Sequence, residues 1–286
     1  MKSTNKAIFY AILAAALYAL NAPISKLLLA QIPSTMMAGL LYLGAGSGMF
    51  FMEKLSKSKE ELPLTRKELP YTIAMVVLDI AAPIFLMIGL TTCSAANASL
   101  LNNFEIVATS LIALFIFKET ISKRLWFAII FVTLSSILLS FEDMSSFVFS
   151  WGSIFVLLAC VCWGLENNCT RMLSSKNPAQ IVIIKGIGSG LGSLLLSFIL
   201  GERFSNMGYI ALALILGFVA YGLSIYFYIY AQRDLGAAKT STYYAISPFI
   251  GAALSLIIFR EFPSAIFVIA LIIMAIGTYF ASTSDD

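Results

Sequence analysis

The sequence predicts an all-α integral membrane protein: ten transmembrane helices in two inverted five-helix repeats, with both termini cytoplasmic. Composition is the first observation behind this. Sixty per cent of residues are hydrophobic and 12% are charged, where a soluble chain carries about 25% charge. Second, apolar runs of about 20 residues recur along the whole length, each able to cross a hydrocarbon core of about 30 Å. Third, the chain says the same thing twice: Phe117-Lys118-Glu119 closes one apolar segment and Phe259-Arg260-Glu261 closes another, 142 positions later.

The expected spans are 7–29, 34–52, 71–91, 95–117, 124–141, 151–173, 179–200, 209–231, 237–259 and 264–281. The first follows Lys2 and Lys6 and is too long for the apolar core of a signal peptide. It also matches the sixth: Tyr18-Ala19-Leu20 falls on Trp163-Gly164-Leu165, and Lys26 on Arg171, at an offset of 145. Pro33, before the second span, falls on Pro178, before the seventh. Gly44, Gly46 and Gly48 in the second span fall on Gly188, Gly190 and Gly192 in the seventh. The third span carries Asp79 and Pro83, and the eighth is rich in tyrosine. The fourth and ninth open alike, Ser94-Ala95-Ala96 against Gly236-Ala237-Ala238 and Ser99 against Ser241. They close on the two Phe-Lys/Arg-Glu corners, with Leu114 on Leu256 and Ser122 on Ser264. The two repeats are expected over residues 1–142 and 143–286, within one membrane domain.

Orientation comes from the basic residues. With the N-terminus in the cytoplasm, cytoplasmic segments hold fourteen Lys and Arg residues and the opposite side only Lys26, Arg203 and Arg260. Such a bias places both termini in the cytoplasm. Five spans per half is an odd number, so the second half enters the membrane from the opposite side.

Several function classes are excluded. The chain has no histidine, which removes His-based catalysis, His metal ligation and His pH sensing. Cys93, Cys160, Cys162 and Cys169 show no disulfide or metal spacing. Cys162, Glu166 and Cys169 share a helical face, but two thiols and a carboxylate at that spacing make a weak metal site. The glycine runs lack the strand context of a phosphate loop and instead permit close helix contact at Gly44, Gly48, Gly188 and Gly192. No cofactor, metal or nucleic acid is expected.

The two five-span halves, the corners at Lys118-Glu119 and Arg260-Glu261, and the small-residue segments Ser94-Ala95-Ala96 and Gly236-Ala237-Ala238 resemble the EamA-type transporters of the drug/metabolite transporter superfamily. Pro248, within the ninth span, fits the same pattern. The first half departs from it, with Glu105 and Ile106 where the second has Ser247 and Pro248. The resemblance implies a central cavity lined by both halves, peripheral last spans, and transport of small organic metabolites, often outward.

Ionisable groups inside a membrane are costly and mark functional sites. Glu105 is the sharpest, since Asn102, Glu105 and Thr109 share one helical face and form a polar stripe suited to a cavity. It reads as an ammonium site, a proton carrier, or a protonated helix–helix partner. Glu166, followed by Asn167, is the repeat counterpart of Asn21. Asp79 stands four residues before Pro83 and reads as a gate or coupling site, or as the partner of Lys185. Lys185 is expected to snorkel to the cytoplasmic surface, with carboxylate pairing as the alternative; Lys26 and Arg171 read as boundary anchors. Tyr221, Tyr228 and Tyr244 are the aromatic cavity candidates.

The sequence thus reads as a secondary active transporter in the cell membrane, monomeric or homodimeric, exporting an amino acid or amine-bearing compound with a proton as candidate coupling ion. The alternatives are a facilitator of a neutral compound such as a nucleobase and, from another class, a lipid-modifying enzyme, for which no motif is visible.

Overall fold

The computed structural model describes residues 2–55, 62–118, 120–143, 148–173, 176–203, 206–235, 240 and 243–282. Lys57, Lys59, Glu119, the Gly236-Ala237-Ala238 segment, Lys239 and Ser241 lie outside them. The helices, in order, are α1 Lys2–Ala19, α2 Asn21–Leu28, α3 Ser34–Leu55, α4 Leu69–Thr92, α5 Ala95–Leu101, α6 Phe104–Phe115 and α7 Lys123–Ser140. They continue with α8 Trp151–Arg171, α9 Pro178–Ile199, α10 Met207–Gly217, α11 Ser224–Leu235, α12 Ser247–Phe259 and α13 Ala265–Ser282. Among the described residues nine helical stretches are long and apolar enough to span a bilayer, and Ser247–Phe259 is a shorter apolar one. A two-stranded antiparallel ribbon, β1 Phe141–Asp143 with β2 Val148–Phe149, joins α7 to α8.

Local chemistry sets the starts. The side chains of Ser94, Ser122, Ser150 and Asn177 each accept from a first-turn N–H of α5, α7, α8 and α9, supplying donors' partners that a helix lacks at its N-terminus.

Three expected spans depart locally from regular α-helix while remaining helical throughout. The first divides at Leu20, between α1 and α2. Pro23, three residues on, has no N–H to give the carbonyl of Ala19. The fourth divides at Asn102 and Asn103, between α5 and α6. The eighth passes from α10 to α11 through a π-helical turn, Phe218–Leu223. Pro248 is also placed differently from the expectation. It stands in the first turn of α12 rather than within a span-long helix, with Ile246 as N-cap, where a missing N–H breaks no intrahelical bond. Pro83 remains inside an unbroken α4.

Glycines set the core contacts. A Cβ on Gly46 of α3 would lie 2.6 Å from the backbone nitrogen of Ile187 in α9, and one on Gly186 would lie 2.5 Å from Gly46 itself. The helix backbones therefore touch. Gly44 and Gly48 face elsewhere, onto Leu214 and Phe218, and Gly188 and Gly192 face Val76 and Ile80 of α4. On α10, a Cβ at Gly217 would sit 2.0 Å from the carbonyl oxygen of Leu41. Backbone cannot yield as a side chain does, so Gly217→Ala is expected to cost about 1–3 kcal/mol. A thermal melt of the purified protein measures this, and an unchanged midpoint would mean that α3 and α10 can part freely.

The contacts follow the repeat. Helices α3 and α9, the matching second and seventh spans, pack together; so do α7 and α13, the fifth and tenth. The first span packs on the eighth through α1 and α11, and the third on the sixth through α4 and α8. The α7–α13 pair is peripheral, with Phe127 and Phe131 packed on Phe280 and much of α13 facing outward. The repeated corners also share a backbone form. Lys118 and Arg260 both adopt the left-handed conformation, at φ 60° and 53°. Arg260 caps α12, and the N–H of Glu261 bonds the Leu256 carbonyl, closing the helix end.

Candidate functional site

A cavity of about 1030 Å³ lies between the two sets of spans. Its walls include Tyr18, Tyr42, Asn102, Asn103, Glu105, Thr109, Trp163, Glu166, Asn167, Lys185, Tyr221, Tyr228, Tyr244, Ser247 and Pro248. At one end it reaches Leu62, Arg171 and Lys176. A separate hollow of about 10 Å³ adjoins the cavity, among Tyr18, Ala19, Asn21, Ser99, Asn102, Ser247 and Gly251.

The cavity chemistry is organised around Lys185. Its Nζ lies 3.1 Å from Oδ2 of Asp79 and 3.1 Å from Oε1 of Glu166. Asp79 is fully buried and also accepts from the Tyr42 hydroxyl at 2.9 Å, and Tyr42 accepts from Nε1 of Trp163 at 3.3 Å. Thr170 donates to Glu166. Lys185 therefore does not snorkel. Two carboxylates from α4 and α8 hold it inside, where their charge replaces the water it would otherwise seek. Asp79 is correspondingly the lysine's partner, as one of its two expected readings had it.

Glu105 stands apart from this triad. It lies in the first turn of α6, where the helix dipole favours a negative charge. Nδ2 of Asn167 donates to its Oε1 at 2.6 Å and to the Thr109 hydroxyl at 3.3 Å. Among the described residues no cation lies within ion-pair distance of Glu105. Asn102, Glu105 and Thr109 all reach the cavity, although Asn102 does so from the turn between α5 and α6 rather than from one straight helix.

Tyr221, Tyr228 and Tyr244 all line the cavity. They belong to a connected row of rings. Tyr42 meets Tyr221 at 5.3 Å, Tyr221 meets Tyr18 at 5.7 Å, Tyr18 meets Tyr244 at 6.0 Å, and Tyr244 meets Tyr228 at 5.1 Å. Tyr18, Tyr42 and Trp163 were not among the expected site residues. The repeat held a signal for two of them, since Tyr18 and Trp163 are counterparts; nothing in the sequence marked Tyr42. Asn21 is buried, donates to the Tyr221 hydroxyl at 2.8 Å and accepts from Ser25 at 3.0 Å. Lys26, expected as a boundary anchor, donates to the carbonyls of Leu90, at 2.9 Å, and Cys93, holding the end of α4. Its counterpart Arg171 lies over the Phe117 ring at 5.8 Å.

The model of the EamA-like transporter family matches twice, over residues 5–141 and 150–283. The chain belongs to the EamA-like transporter family. This EamA-like transporter is 25% identical, over 282 residues, to a protein of Methanothermobacter thermautotrophicus described as an uncharacterized transporter. That match covers 92% of this chain and 82% of the other. It is 20% identical over 216 residues to the uncharacterized transporter YyaM of Bacillus subtilis, covering 72% and 70%. A solved structure titled only "Crystal structure of protein" superposes with a TM-score of 0.68 at 16% identity, covering 96% of this chain and 95% of that one, which establishes a shared fold. The family and the names of these relatives point to a multi-pass membrane transporter.

Proposed function

We propose that this transporter carries a small amine-bearing metabolite, such as an amino acid or organic amine, outward across the cell membrane in exchange for protons. The observation that carries the reading is the unpaired Glu105. Lys185 is taken up by Asp79 and Glu166, so among the described residues the cavity keeps one carboxylate with no cation of its own. A substrate ammonium fills that role, and the neighbouring ring faces of Tyr18 and Tyr244 favour a cation nearby. Proton and ammonium compete for one carboxylate, which is the simplest arrangement for obligatory exchange.

The basic-residue bias supports cytoplasmic termini, and it puts Leu62, Arg171 and Lys176 at the cytoplasmic mouth. The cavity is then open inward. The swapped packing of first on eighth and third on sixth spans supports repeats, over 1–142 and 143–286, that are inverted and exchange conformations to open the site to either side.

The row of five tyrosines favours a second reading, facilitated passage of a neutral aromatic such as a nucleobase. Proteoliposomes loaded with amino acids, organic amines, cationic drugs or nucleobases separate the two. Saturable efflux of an amine, accelerated by an opposing proton gradient, is the expected result. Flux confined to nucleobases and indifferent to pH would replace the first reading with the second.

A further inference from the structure

The hollow of about 10 Å³ beside the main cavity lies where three spans meet: the first at Ala19 to Asn21, the fourth at Ser99 to Asn102, and the ninth at Ser247 to Gly251. Its size suits a single small atom or water. Its walls are rich in oxygen. Oδ1 of Asn102 and Oγ of Ser247 are buried with no hydrogen-bond partner, in residues 8% and 1% exposed. The Ala19 carbonyl has lost its donor four residues on, because that residue is Pro23. Gly251 leaves this carbonyl uncovered: the point where its Cβ would stand is 3.2 Å from the Ala19 oxygen and 3.0 Å from Oγ of Ser99. The hydroxyl proton of Ser99 is committed to the Ala95 carbonyl at 2.8 Å, so that oxygen can act toward the hollow only as an acceptor. Oδ1 and Nδ2 of Asn21 are committed to Ser25 and Tyr221.

We propose that this hollow is a binding site for one sodium ion, held by the Ala19 carbonyl, Asn102 Oδ1, Ser99 Oγ and Ser247 Oγ. More acceptor oxygens converge there than the two protons of a water can serve. The ligands are neutral oxygens with no carboxylate among them, which suits a monovalent hard cation and disfavours calcium or magnesium, whose sites are built on carboxylates. The ion would tie together the first, fourth and ninth spans, from both halves, beside the cavity. Asn102 and Ser247 also line the main cavity, but the ion's binding needs no substrate there.

The test needs no substrate, so it stands or falls apart from the amine reading. The full-length protein in detergent is melted in sodium chloride, potassium chloride and choline chloride at equal ionic strength. Sodium is expected to raise the midpoint by roughly 5 °C near saturation, with a hyperbolic dose dependence, while potassium and choline do not. Ser247→Ala is expected to abolish the sodium shift while melting near the parent in choline, and Ser247→Thr, which keeps the hydroxyl, to retain it. Equal midpoints in sodium and choline would show that the hollow holds water. A full sodium shift in Ser247→Ala would move the ion to another site. Should Ser247→Ala fail to fold, Gly251→Ala, whose methyl enters between the Ala19 and Ser99 oxygens, must remove the shift for the assignment to hold.

Discussion

Replacing Lys185 with methionine is expected to cost about 3–5 kcal/mol of stability, the usual penalty for removing one partner from a buried ionic cluster. The side chains involved are almost wholly enclosed: Asp79 is 0% exposed and Glu166 2%, with Lys185 at 16%. Methionine keeps most of the packing of the lysine stem, so the loss reports charge rather than volume. Two carboxylates then face each other across the site with no cation, bound only by the Tyr42 and Thr170 hydroxyls. The double variant Lys185→Met with Asp79→Asn removes the deeper of the two orphaned charges and is expected to recover much of the loss. Such non-additivity is the signature of a shared cluster. Thermal melts of the single and double variants read both effects. A Lys185→Met protein melting within a degree of the parent would mean that the lysine does not hold the two carboxylates in place.

Glu105→Gln should leave the fold standing and weaken transport of amines. Glutamine retains an acceptor for Nδ2 of Asn167, which donates to Oε1 of Glu105, so the link between α6 and α8 persists. What disappears is the charge. A hydrogen bond to a charged group contributes about 1.5–3 kcal/mol, so the KM for an amine is expected to rise roughly 10- to 100-fold. The dependence of flux on the proton gradient is expected to vanish with it, because proton and substrate share this carboxylate in the proposed exchange. The melting midpoint should move little, which separates loss of function from loss of structure. Undiminished amine flux with its pH dependence intact would remove Glu105 from the centre of the mechanism.

Much of the site was legible because membrane residence makes each polar residue conspicuous. Glu105, Glu166, Asn102, Asn167, Tyr221, Tyr228 and Tyr244 all stand in the cavity walls, and each was marked by being polar or amphipathic in an apolar span. The reading failed where two local explanations were equally good. Lys185 sits close enough to its span end to snorkel or to pair. Its partner Asp79 is 106 positions away in the chain, so no local pattern decides between them. Tyr42 escaped notice because a lone tyrosine in a span is unremarkable until Asp79 and Trp163 are found beside it.

The repeat gains chemical content from the structure. Glu166 and Asn21 are counterparts, as are Asp79 and Tyr221. In one place Glu166 and Asp79 converge on Lys185; in the other Asn21 bonds Tyr221 directly at 2.8 Å. The same contact is thus built twice, once ionic and once neutral.

By itself the sequence determined that this chain crosses a membrane repeatedly, that it is built twice from one plan, and which few residues bear charge inside. Hydrophobic length, repeat spacing and the cost of buried charge are properties of segments, and segments can be read one at a time. Which carboxylates pair with the lysine, which helices change their path, and which oxygens line one hollow were decided only by the tertiary structure. Those outcomes depend on distances between spans remote in sequence: one lysine reaches two of three carboxylates, and the third is left facing the cavity.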